Sequence, residues 1–226
     1  MMAAHPEAGA GRSLRAQMAR VIGRLAGVGS ARRSDSARWV VLDLETSGLD
    51  PGRDALLAIG AVALSAHRIV VADSLETVVR PEQVSSRSNI LVHGLGAQAQ
   101  RDGADPGEAC ANLLAFIADA PLVAFQADFD RAFLTRFVRI HGAVELTNPW
   151  LDLAQLAPAL HPRCPAQTLD EWLIRFEIEV EQRHHAVADA LASAMLLQRL
   201  LADVPPGERA IAPLQALCRQ ARWLGA

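Results

Sequence analysis

Two carboxylates at alternate positions, Asp43 and Glu45, are the residues of this chain best placed to do chemistry. They interrupt the apolar, β-branched run Val40-Val41-Leu42-Asp43-Leu44-Glu45, whose composition reads as a buried strand. Side chains two apart on a strand share a face, so the carboxylates stand together while Leu42 and Leu44 enter the core opposite. That placement is unfavourable for bare carboxylates, which repel each other and lose water. A divalent cation removes the conflict, and hard oxygen ligands favour Mg2+ or Mn2+. Turn signals at Ser47-Gly48 and Asp50-Pro51-Gly52 then end the strand. The strand end is therefore expected to be half of a metal site.

Three more residues could complete it. Asp130 falls in the first turn of a helix expected from about Asp128 to Ile140, just after a short apolar strand at Leu122 to Phe125. Taken alone it reads as a favourable charge near a helix N-terminus. Asp189 lies on a second helix, expected from about His185 to Leu201, among the small residues Ala186, Ala188, Ala190 and Ala192. Small neighbours let a helix approach a sheet closely and would carry Asp189 toward the strand carboxylates. His184 and His185 open that helix, and by themselves such a pair is more often a capped surface feature than a catalytic pair.

The elements needed to position these groups are legible in the pattern. Ala55 to Leu64 and Arg68 to Val79 are β-prone runs joined by a short turn, so the opening strand starts an antiparallel meander. Strand–helix alternation follows, with helices at Pro106 to Asp119, after Trp150-Leu151, and at Leu169 to Phe176 capped by Thr168. The expected fold is α/β: a mixed sheet, antiparallel meander first, with helices on both faces. Residues 1–37 form a basic extension with one amphipathic helix capped by Ser13, residues 38–203 the domain, and residues 204–226 a helical tail around Leu214 to Trp223.

Composition limits the function. The 226 residues carry a formal charge of −3. Residues 1–38 hold seven arginines against Glu7 and Asp35, a net +5, which leaves −8 on the remainder. An acidic body suits cation binding and makes a poor general nucleic-acid surface. Three cysteines, Cys110, Cys164 and Cys218, without C-x-x-C spacing fit neither a disulfide framework nor a zinc knuckle. Arginines interrupt any secretory segment, and no run reaches a membrane span of roughly 18 apolar residues. A soluble, cytoplasmic protein is expected.

Together the motifs resemble the DEDDh branch of the DnaQ-like 3′-to-5′ exonucleases, of RNase H-like fold. Asp43-Leu44-Glu45-Thr46-Ser47-Gly48 resembles that family's first motif, and His184-His185-Ala186-Val187-Ala188-Asp189 its last. The middle motif is similar at Ala127-Asp128-Phe129-Asp130, with Phe125-Gln126 in place of the usual His-Asn. Val92-His93-Gly94-Leu95 and Leu151-Asp152-Leu153-Ala154-Gln155-Leu156-Ala157 resemble two secondary hallmarks. The likeness covers about residues 38 to 203.

The resemblance implies that Asp43, Glu45, Asp130 and Asp189 hold two divalent ions, Mg2+ or Mn2+, with Asp43 bridging both. It implies His184 as general base, five residues before Asp189, at a pKa suited to neutral pH. His185 receives no catalytic role. Thr46, Ser47, Gly48 and His93 are expected at the terminal nucleotide, Gly48 because no side chain obstructs the approach. Phe129 is placed either there or in the core. The activity implied is metal-dependent hydrolysis of single-stranded DNA from the 3′ end, releasing nucleoside monophosphates. An exoribonuclease is the runner-up, since the ribose 2′-OH decides between them. A catalytically silent domain that binds nucleic-acid ends or a partner is the alternative of another class, and the intact acidic set argues against it. Partners implied are a single-stranded 3′ end and a polymerase or another replication or repair protein. A free-standing monomer or homodimer is as consistent, because neither a long docking region nor a clamp-binding motif follows the domain.

Overall fold

In a computed structural model of the chain, the structure describes residues 38–86, 89–91, 94–180 and 185–223. The expected strand forms over Trp39–Thr46 (β1). β2 (Leu56–Ser65) and β3 (Arg68–Val78) complete the meander. They meet at a two-residue turn, Ala66-His67, with left-handed φ of 48° and 60°. β4 (Leu122–Ala124) pairs parallel to β1, and β5 (Trp150–Asp152) parallel to β4. The sheet order is β3-β2-β1-β4-β5, so β1 is its centre.

The alternation along β1 sorts the helices into two layers. Val40, Leu42 and Leu44 point into a core built with α2 (Pro106–Ile117) and α3 (Ala127–His141). Trp39 and Val41 point the other way, toward α4 (Leu153–Leu160), α5 (Leu169–Arg175), α6 (Ala186–Ala202) and α7 (Ile211–Trp223). Asp43 and Glu45 share the parity of Val41 and therefore the α6 face. The mixed sheet with helices on both faces is as expected. On α6, Leu196, Leu197, Leu200 and Leu201 are buried, each contributing roughly 1.5–3 kcal/mol. They hold a helix whose first turn must reach the sheet.

The caps fall where side-chain chemistry puts them. Asp105 accepts from Gly107 N at 2.9 Å ahead of Pro106. Thr168 and Glu171 form a reciprocal capping box at the start of α5. A short helix, α1 (Ala97–Arg101), precedes α2. Its buried Gln100 accepts from Ser85 N at 2.9 Å and donates to Ser85 Oγ at 2.7 Å and Leu95 O at 2.8 Å. A single amide thus organises that segment, which no periodicity announces. The C-terminal helix α7 packs on the domain, with Leu214 and Cys218 buried and Gln215 donating to Trp150 O at 2.8 Å. The amphipathic helix after Ser13 and the first residues of the basic extension lie outside the described residues. Among the described residues, no helix is long and apolar enough to cross a membrane.

Arg38 ties the rim of β3 to α2. Its guanidinium donates to Asp73 at 2.8 and 3.1 Å and to Phe116 O at 2.7 Å, and stacks on the Phe116 ring. The hydrogen bond from Arg38 holds the Asp73 carboxyl below its usual range, against partial desolvation. A depressed carboxyl adds stability above its unfolded pKa and loses it as pH falls through the folded one. Asp73→Asn should therefore lower stability by about 0.5–1 kcal/mol near neutrality, the range for a half-exposed bidentate pair. Thermal melts of the two proteins should draw together as pH falls below the ordinary aspartate pKa and on through the depressed one.

Candidate metal centre

Three parallel strands end at one edge of the sheet, and the candidate residues collect there. Asp43 and Glu45 come from β1, half-buried, facing Gly60 and Ala58 of β2. Asp189 comes from the first turn of α6 and is 6% exposed. One carboxylate oxygen from each of the three lies within 4.8 Å of the others. Such a trio repels itself unless a cation neutralises it, and all-oxygen donors fit a hard divalent ion. The donor set therefore fits the expected metal.

Asp130 arrives from the opposite layer, on the first turn of α3, and is 4% exposed. It stands outside the close trio, separate from Asp43, Glu45 and Asp189. Burial pushes its carboxyl well above the ordinary carboxylate range; its own backbone N–H opposes this, and the charge of Asp152 adds to it.

What launches α3 is Gln126, one of the two positions at which the chain departs from the family's middle motif. Gln126 precedes the helix in a left-handed conformation, φ 61° and ψ 50°. The Asp152 carboxylate accepts from Gln126 N at 3.0 Å and Ala154 N at 2.9 Å, while Gln155 donates to its second oxygen at 2.9 Å. Asp152 thus caps α4 and clamps the corner that aims Asp130. The family's Asn at this position suits such a corner, because asparagine tolerates the left-handed region better than glutamine. Gln126→Asn is expected to raise stability by roughly 0.5–1 kcal/mol, since the glutamine side chain is exposed and loses no packing. A rise in chemical-denaturation midpoint at unchanged slope would register it.

The turn after β1 is rigidly built. Thr46 Oγ1 donates to Gly48 O at 2.7 Å, Ser47 N to Ala55 O at 2.9 Å, and Ala55 N to Ser47 Oγ at 2.8 Å. A side chain at Gly48 would meet the Asp54 carboxylate, the movable end of a neighbouring side chain. Arg136 of α3 donates to Pro51 O at 3.1 Å and Asp54 O at 2.8 Å, pinning the loop. Leu49 is 85% exposed on this loop. A groove beside the turn is lined by Ser47, Arg53, Arg80 and Arg136 among others. Phe129 packs on Phe133, ring centroids 4.8 Å apart, against the α2–α3 core. His184 and His93 lie outside the described residues. His185 reaches outward to Glu76 of β3, Nε2 to Oε1 3.2 Å.

Acidic groups gathered at the carboxyl ends of a mixed sheet, under a helix of small residues, make a candidate site for a divalent metal. Residues 40–197 match the RNase T family model, described as exonuclease, and the chain belongs to that family. Curated relatives include the DNA polymerase III PolC-type of Bacillus cereus, 30% identical over 166 residues, covering 74% of this chain and 11% of that protein. The PolC-type polymerase of Caldanaerobacter subterraneus is 31% identical over 173 residues, covering 76% and 12%. The chain thus spans about an eighth of the curated relatives it matches. Among solved structures, an Escherichia coli exonuclease I–single-stranded DNA complex superposes with a TM-score of 0.66 at 17% identity, over 75% of this chain and 41% of that one. Exonuclease X in complex with 5′ overhanging duplex DNA gives 0.64 at 19% identity, over 80% and 99%. At these identities the structures establish the fold, that of DnaQ-like DEDDh exonucleases.

Proposed function

We propose that the protein is a divalent-metal-dependent 3′-to-5′ exonuclease acting on single-stranded DNA ends. The observation that carries this reading is the trio Asp43, Glu45 and Asp189, with carboxylate oxygens within 4.8 Å of one another at the sheet edge. Asp130, buried on the first turn of α3, is assigned here as the fourth acid. These four residues would hold two divalent ions, which when bound neutralise charge on the phosphate and on the departing oxygen. The protein's own groups supply the rest. His184 takes a proton from the attacking water, whose oxygen forms the new bond to phosphorus. The bond to the preceding nucleotide's O3′ breaks, and O3′ gains a proton as the terminal nucleoside monophosphate leaves. The turn at Thr46, Ser47 and Gly48, with His93, receives the terminal nucleotide. The groove beside Ser47 carries Arg53, Arg80 and Arg136 together with Asp54 and Glu82, and would meet the DNA strand through its arginines. DNA is favoured because the relatives are DNA polymerases and one structural neighbour is bound to single-stranded DNA.

The test is product release from DNA and RNA oligonucleotides of one sequence, labelled at the 5′ end, with Mn2+, Mg2+ or EDTA. A metal-dependent ladder shortening from the 3′ end is expected, faster on DNA. Faster RNA trimming would make this an exoribonuclease, and binding without cleavage would make it a silent end-binding domain. His184→Ala should cut turnover by about 10²–10⁴-fold, the usual worth of a positioned base, while Mn2+ and DNA still bind. Full activity in that variant would remove His184 from the mechanism.

A further inference from the structure

One row of the sheet runs directly beneath the start of α6. Asp43 of β1 pairs with Gly60 of β2, and Gly60 pairs with Glu76 of β3, so the three lie in line on the α6 face. Above the middle of the row sits helix backbone. A methyl group built on Gly60 would overlap the carbonyl carbon and oxygen of Ala186 and the amide nitrogen of Val187. No flexible side-chain end is involved, so nothing but the helix or the strand can yield. On the outer side of the row, His185 Nε2 stands 3.2 Å from Glu76 Oε1. On the inner side, Asp189 joins Asp43 and Glu45. Asp189 N donates to His185 O at 2.9 Å in the first turn of the helix, so whatever seats His185 and Ala186 also seats the Asp189 carboxylate. The N-cap residue His185 makes no side-chain cap hydrogen bond.

We infer that Gly60 is a positioning residue for the metal centre: its missing side chain, with the Glu76–His185 pair beside it, sets the height of α6 over the sheet and so the reach of Asp189. The inference rests on the metal reading above and adds a residue that touches neither metal nor substrate. A glycine inside an apolar strand otherwise weakens it, and close approach of another backbone is the compensating use. Lifting α6 by even a fraction of the lost contact withdraws one of three carboxylates. Mg2+, which demands near-ideal octahedral oxygen geometry, should suffer more than the larger Mn2+.

The test compares Gly60→Ala, Glu76→Ala and Leu200→Ala with the wild type. Mn2+ binding is measured by calorimetry and by the rise in melting temperature on adding Mn2+. Gly60→Ala should weaken Mn2+ about 10–100-fold, as loss of an outer support does, and should raise the Mn2+-to-Mg2+ ratio of nuclease rates. Glu76→Ala, half-exposed and safe for folding, should weaken Mn2+ by a few-fold at an unchanged metal-free melting temperature. Leu200→Ala unseats the far end of the same helix, so it should melt earlier yet bind Mn2+ as the wild type does. Wild-type Mn2+ affinity in Gly60→Ala overturns the inference, as does an equal loss in Leu200→Ala. Should Gly60→Ala fail to fold, unchanged affinity in Glu76→Ala overturns it instead. A wild-type protein that neither binds Mn2+ nor cleaves DNA would sink the exonuclease reading itself, a distinguishable result.

Discussion

Asp43→Ala is expected to lower kcat/KM on single-stranded DNA by about 10³-fold or more, with the fold intact. The size follows from removing a charge placed at the reacting phosphate, where loss of even one neutral donor typically costs 10²–10³ in rate. The fold should survive because Val41, Leu42 and Leu44 are buried on either side of Asp43, and the ladder to β2 is made by backbone groups. Removing it also relieves the repulsion it exerts on Glu45 and Asp189. The metal-free variant should therefore melt at or above the wild-type temperature. The wild type should gain stability as Mn2+ is added, by RT ln(1 + [Mn2+]/Kd), and the variant should gain little. Activity, metal-free melting and the Mn2+ response together separate a lost ligand from a damaged fold. A variant that melts early and still answers to Mn2+ would show that Asp43 supports the strand and not the ion.

How far the sequence leads depends on whether a residue's role is local. The β1 motif was legible because a strand's two-residue period decides which side chains share a face, and Asp43 and Glu45 obey it. Thr168 ahead of α5 and Pro106 at the first turn of α2 were equally readable, since such signals act within four residues. What stayed hidden depends on contacts distant in sequence. Asp152 meets Gln126 across 26 positions, and Arg136 meets Pro51 across 85. Gly60 had a local signal, a glycine inside an apolar strand, yet only the packing of Ala186 shows what it admits. Gln100 sits in a short helix without amphipathic period, so its buried network had no sequence signature. Asp130 shows the limit from the other side. Its place in a helix first turn read as a dipole-favoured charge, and its burial had no signal in that local pattern.

That burial makes Asp130 the residue at which stability and function should part. Its carboxyl is pushed well above the ordinary range, chiefly by desolvation and further by Asp152. A folded-state pKa above the unfolded one means the native protein holds the proton more tightly, so stability falls as pH rises from the unfolded pKa through the folded one. At pH above both, the metal-free native state bears the full penalty of a buried charge. Asn has the same shape and no charge. Asp130→Asn should therefore melt higher than the wild type at neutral and alkaline pH without metal, by about 2–4 °C for each kcal/mol recovered in a chain of this size. The difference should shrink toward zero as pH falls below about 4, where the wild-type carboxyl is protonated in both states. The gain should come with a loss of about 10²–10³-fold or more in nuclease rate, because the amide cannot balance a divalent ion. Adding Mn2+ should reverse the order of stability, since the ion rewards the carboxylate that the metal-free protein tolerates poorly. Melting curves across pH, with and without Mn2+, check all of this in one series. A metal-free Asp130→Asn protein that melts below the wild type at neutral pH would mean that the buried carboxylate is held by hydrogen bonds strong enough to offset its desolvation, and that its environment is preorganised for charge before any ion arrives.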